Sequence, residues 1–132
     1  MTMPRAGWFA LAAVVCFGAG WLTGGAGRSA VDLERRDAVE RAGLDRVRAE
    51  TLAGRVALYE TNFGQAAQRF GAAVEAAREV QAARRALSRA EAAGRLEPVL
   101  THLQEAQRLA AAISNDAHGA ASQALAALAA AR

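Results

Sequence analysis

Hydrophobic and polar positions divide the chain into three stretches. From residue 6 to residue 27 there are 22 consecutive positions without a charge, AGWFALAAVVCFGAGWLTGGAG, closed by Arg5 and Arg28. A helix of that length rises about 33 Å, enough to cross a hydrocarbon core of about 30 Å. Trp8 and Trp21 lie near its ends, where amphipathic rings favour the headgroup region. The pattern predicts a transmembrane anchor within residues 1–28. The competing expectation is a secretory signal: Arg5 as its basic start, residues 6–22 as the apolar stretch, and Gly24-Gly25-Ala26 as a small-residue cleavage site. The length of the run and its two tryptophans favour retention. Cys16 follows Val15, where lipid attachment needs a small residue, so it reads as an inert thiol. Ala12, Cys16, Gly20 and Gly24 recur every four residues, and Gly20 and Gly24 form a G-x-x-x-G pair. That face is expected to support self-association in a bilayer.

After the anchor the pattern is helical almost throughout. Residues 29–49 alternate Arg35, Arg36, Arg41, Arg46 and Arg48 with Asp32, Glu34, Asp37, Glu40 and Asp45, around a thin seam of Val31, Ala38, Ala42 and Ala49. This predicts a charged helical stalk, with i,i+4 pairs such as Asp32/Arg36, Asp37/Arg41 and Arg46/Glu50. The seam also suits a weak coiled coil between copies. Residues 50–132 are expected to form a small helical domain. Breaks fall at 61–64, at 94–98 and at 114–116, where Gly94 suits a left-handed helix end, Pro98 a first turn, and Asn115 or Asp116 a cap.

The stripes in this domain repeat. Phe63, Ala66, Phe70, Ala73 and Ala77 are spaced 3, 4, 3, 4, and Leu96, Val99, Leu103, Ala106 and Ala110 follow at an offset of 33 residues. Ala53 and Ala57 match Ala86 and Ala90 at the same offset. With Gly54 in the first helix and an aromatic at the turn, the stretch over about 47–113 resembles a tetratricopeptide repeat. The resemblance implies two helix-turn-helix units, a turn near 79–82 between them, and a capping helix over 116–131 with Ala117, Ala121, Leu125 and Leu128 inward. It also implies a peptide-holding groove on the first helices, lined by Arg48, Thr51, Arg55, Leu58 and Tyr59, then Gln81, Arg84 and Ser88. Between those units residues 78–83 read REVQAA, without Gly or Pro. The alternative is therefore one helix over 64–93 in a simple antiparallel helical bundle.

Composition narrows the function classes. Of the 132 residues 37 are alanine, which forms helix readily but buries little area, and only 5% are aromatic. An all-α fold follows, and a sheet-based one is excluded. The basic side chains are all arginine, as in a GC-rich bacterial genome, and the net charge is +3. Between 78 and 95 five arginines (78, 84, 85, 89, 95) face only Glu79 and Glu91, a patch with a possible acidic or anionic partner. It lacks interleaved aromatics, so nucleic acid is not expected.

Catalytic chemistry is not expected either. His102 and His118 stand 16 residues apart, and His102/Glu105 alone lacks the second pair that a carboxylate-bridged metal needs. No serine adjoins a base and no Gly-rich loop follows a strand, so no catalytic, metal or cofactor site is expected. The sequence reads as a single-pass protein of a bacterial inner membrane that scaffolds a complex. The expected partners are the lipid bilayer and other proteins, with homo-oligomerisation through the stalk as a further expectation. The signal-like N-terminus points to a periplasmic domain, whereas the arginines after the span, counted alone, would place it in the cytoplasm.

Overall fold

A computed structural model describes the backbone of residues 5–132 and the side chains of residues 30–132. All regular structure among them is helical: α1 (Arg5–Tyr59), α2 (Phe63–Ala86), α3 (Ala90–Gly94), α4 (Glu97–Ala111) and α5 (Ala117–Ala130). Two compact units result, Met1–Ala38 and Val39–Arg132. In the first, the side chains from 30 to 38 are exposed except for a half-buried Asp37. The expected anchor, with its Ala12, Cys16, Gly20 and Gly24 face, lies outside the described side chains. Among the described residues no helix is long and apolar enough to cross a membrane.

The second unit packs the C-terminal part of α1 with α2, α4 and α5, each antiparallel to the helix before it. Both apolar stripes face inward: Ala66, Phe70, Ala73 and Ala77 on α2, and Leu96, Val99, Leu103, Ala106 and Ala110 at and along α4. Near one end they meet Leu44 and Val47 of α1 and Leu128 and Ala131 from the α5 side. Towards the other end they meet Ala57, Leu58, Ala117 and Ala121. Helix α5 closes back on α1, with Arg132 donating to Asp45 at 2.6 Å and the Tyr59 and His118 rings 4.6 Å apart. The four helices thus form an antiparallel bundle closed on itself.

Two expectations need correcting. Helix α2 runs unbroken through 78–83, where a turn was expected. Nothing there breaks a helix, and Val80 and Gln81 are held in the packed interior. The chain turns instead at Leu87, Ser88 and Arg89, so a single helix over 64–93 is not formed either. Consequently Ala86 and Ala90, matched by spacing to Ala53 and Ala57, are exposed. The inward-facing α4 stripe survives the shift; the helix that should precede it is reduced to the five residues of α3.

The helix ends differ too. No described glycine has positive φ, and Gly94 passes into Arg95 in the right-handed region. The left-handed ends fall on Thr61 (φ 56), Ser88 (φ 58) and Ile113 (φ 57). Each closes its helix with a paired pattern, such as Ser114 N–H to Leu109 C=O at 2.9 Å and Ile113 N–H to Ala110 C=O at 3.0 Å. Asn62 caps α2 through the Gln65 N–H, whereas Asp116 makes no side-chain cap, and its own N–H goes to Ser114 Oγ.

Ile113, like Thr61, is β-branched and disfavours this conformation, and it is 72% exposed. Replacing it with glycine removes a left-handed penalty of about 1–2 kcal/mol at little loss of burial. Ile113→Gly is therefore expected to raise the urea midpoint by about 1 kcal/mol of stability. A lower midpoint in the variant would assign the Ile113 side chain a packing role instead.

Candidate functional site

The groove expected on the outer helices does not assemble as a whole. Thr51 is buried, its hydroxyl donating to Val47 C=O at 2.7 Å, and Leu58 is buried in the core. Gln81 is buried, donating to Glu97 Oε1 at 2.7 Å and Ala93 C=O at 3.3 Å. Arg84 is 3% exposed and bonded to Glu40 and to the carbonyls of Ala92 and Ala131. Ser88 sits exposed at the end of α2. The reason is the extra length of α2: residues 81 and 84 belong to a bundle helix, not to a second outer helix.

Arg48, Arg55 and Tyr59 do share an outer face of α1, and α5 supplies the opposite wall. Arg48, Leu52, Leu125, Leu128, Ala129 and Arg132 line a cavity of about 240 Å³ between the two helices. Farther along the same seam, the Tyr59 and His118 rings meet in a tilted contact that bridges α1 and α5. The positions follow from antiparallel register. On α1, residues 45, 48, 52, 55 and 59 recur at three and four, as do 118, 122, 125, 129 and 132 on the α5 side.

Beyond the cavity lining, along the same seam, two polar atoms are buried without a hydrogen-bond partner, Arg55 Nε and His118 Nδ1. Such atoms carry a desolvation cost that a ligand group can relieve. Beside them α1 exposes apolar surface: Leu52 is 41%, Val56 55% and Tyr59 70% exposed, with Ala49 exposed one turn away. Together with Ala42 these positions have the 7, 3, 4, 3 spacing of a coiled-coil seam.

Charge separates this face from the rest. The arginines at 78–95, expected to form a basic patch, each have a carboxylate partner: Arg78 has Glu75, Arg84 and Arg89 share Glu40, Arg85 has Glu97, and Arg95 has Glu91. The turn at 87–89 also takes Arg89 off the helix that carries Arg78 and Arg85. In the stalk, Arg46 pairs across to Glu79 and Glu50 to Arg69, rather than with each other. Arg41, Arg48 and Arg55 make no ion pair among the described residues. Their seven-residue spacing was visible in the sequence, but their lack of acid partners depends on which helices become neighbours.

Other features add no chemistry. Glu105 is bound by Arg108 at 2.6 and 2.8 Å, and this hydrogen bonding lowers its carboxyl pKa. Among the described residues no three His, Cys, Asp or Glu side chains converge as a metal site. At the far end of the bundle a hollow is lined by Thr61, Asn62, Phe63, Gly64, Ala110, Ala111 and Ile113, with no charged group to orient a ligand.

The described domain is thus a small helical bundle that carries an apolar, arginine-edged groove between α1 and α5. Comparison with protein-family models, curated proteins and solved structures finds no match to this chain.

Proposed function

We propose that the chain is a membrane-anchored interaction scaffold, non-enzymatic, serving a protein complex at a bacterial inner membrane. The apolar run over residues 6–27 supports the anchor, and its signal-like form supports a periplasmic position for the bundle. The resemblance of the stretch over residues 54–73 to a tetratricopeptide repeat supports a protein-binding role. The observation that carries the reading is the groove between α1 and α5: apolar in its floor, with Arg48, which makes no ion pair among the described residues, on one wall and Arg132, held by Asp45, on the other. Interfaces concentrate their energy in such apolar centres with arginine and tyrosine nearby.

A second reading is self-association, supported by the exposed α1 seam and, in the anchor, by the Ala12, Cys16, Gly20 and Gly24 spacing. One pair of substitutions separates the two. Leu52→Asp with Leu125→Asp places two charges in the groove and is expected to abolish cross-linking to partner proteins in intact membranes, leaving helicity unchanged. Retained partner cross-links together with loss of self-cross-links would favour the second reading.

A further inference from the structure

We infer that the α1/α5 groove receives an amphipathic helix of a partner protein that carries acidic residues at heptad spacing. The inference rests on the interaction role proposed above and adds the chemistry of the partner. Three observations meet on one face. Ala42, Ala49, Leu52, Val56 and Tyr59 form an exposed seam on α1, interrupted at Asp45, whose charge Arg132 meets. Arg41, Arg48 and Arg55 run beside it at seven-residue intervals, a repeat of about 10.5 Å along a helix. Leu125, Leu128 and Ala129 make the opposite wall concave rather than flat.

The repeat of the arginines matches that of a helix laid alongside, whose own flanking positions recur every two turns. A second copy of this chain fits poorly. Written as heptads with 42, 49 and 56 at a, position g is Arg41, Arg48 and Arg55, and position e is Arg46, Ala53 and Glu60. Parallel pairing sets Arg41 against Arg46 of the neighbour and Arg48 against Ala53, leaving one attractive pair, Arg55 with Glu60. Antiparallel pairing sets the three g arginines against one another. Parallel pairing thus gains no net charge attraction, and antiparallel pairing is opposed by its facing arginines, so a second copy leaves the arginine row unmatched. An acidic helix meets all three arginines with opposite charge. A flat anionic bilayer would not enter a concave wall in the same way.

The test uses the full chain in neutral detergent and two labelled synthetic peptides of about four heptads, with leucine at a and d. One peptide carries glutamate at e and g, the other lysine. The glutamate peptide is expected to bind at least about tenfold more tightly, and the difference to shrink in high salt. Arg41→Glu, Arg48→Glu and Arg55→Glu together should reverse the preference, while Arg78→Glu, on α2, leaves it intact. Equal affinity for the two peptides, no binding of either, or displacement of the glutamate peptide by phosphatidylglycerol discs overturns the inference. Loss of partner cross-links in Leu52→Asp/Leu125→Asp, read separately, tells whether the groove still serves a partner when its acidic preference fails.

Discussion

Replacing Arg84 by methionine is expected to destabilise the bundle by about 3 kcal/mol, because it removes one member of a buried charged network. The guanidinium is 3% exposed and joins three parts of the domain at once. Nε lies 2.9 Å from Glu40 Oε1 on α1, Nη1 2.8 Å from Ala92 C=O on α3, and both terminal nitrogens 3.2 Å from Ala131 C=O beyond α5. Methionine fills much of the same space but leaves two carbonyls without their donor. Glu40 keeps Arg89 at 3.1 Å, so its carboxylate is not wholly abandoned. That moderates the loss, and it gives the network an internal comparison. Glu40→Gln with Arg84 retained should cost less, since Arg84 still holds both carbonyls. Arg84→Lys should behave more like methionine than like arginine, because one ammonium cannot reach all three acceptors in a planar fork. Urea unfolding of the full chain checks the order; a methionine variant within about 0.5 kcal/mol of the parent would mean that Arg84 is ornamental.

The network also explains where sequence reading stopped. Arg84 has four further arginines within 78–95, and nothing in the local pattern singles it out. Its burial follows from α2 continuing for one more turn than a repeat would allow, which brings it under α3 and beside Glu40. Stripes decided by local periodicity were legible: Phe70, Leu96, Val99 and Leu103 are spaced as inward positions and are fully buried. The α5 helix was legible for the same reason, with Ala117, Ala121 and Leu128 buried. Turn positions were legible where Pro or Asn marked them and illegible at 87–89, where Leu, Ser and Arg give no such signal. Of the groove, only Arg48, Arg55 and Tyr59 were placed on an outer face. Their true neighbour is α5, a tertiary contact that spacing along α1 cannot reveal. Arginine pairing failed for a similar reason, since i,i+4 partners compete with acids on adjacent helices, and Arg46 and Glu50 both found theirs on α2.

The close approach of α1 to α2 supports the other large prediction. A Cβ built on Gly54 would stand 2.6 Å from Phe70 Cε1 and 2.8 Å from Cδ1. The Phe70 ring is fully buried, so it has no solvent into which to retreat. In an open helix interior, changing glycine to alanine stabilises by about 0.5–1 kcal/mol through backbone entropy. Here overpacking, at about 1–3 kcal/mol, outweighs that gain, and Gly54→Ala is expected to lower stability. Gly119→Ala, where nothing lies within 4 Å, should show the ordinary sign. Phe70→Ala removes the ring and leaves a cavity, at about 3–5 kcal/mol, the largest single-site loss expected in the bundle. The two positions are in contact, so their effects should not add. Combining Gly54→Ala with Phe70→Leu relieves the clash as it shrinks the ring, and the pair should be less destabilised than the sum of the singles. Additive losses in thermal or urea unfolding would show that Gly54 and Phe70 do not set the distance between α1 and α2. Non-additive ones would tie the wall of the α1/α5 groove to the packing beneath it, because α1 carries the groove on one face and Gly54 on the other.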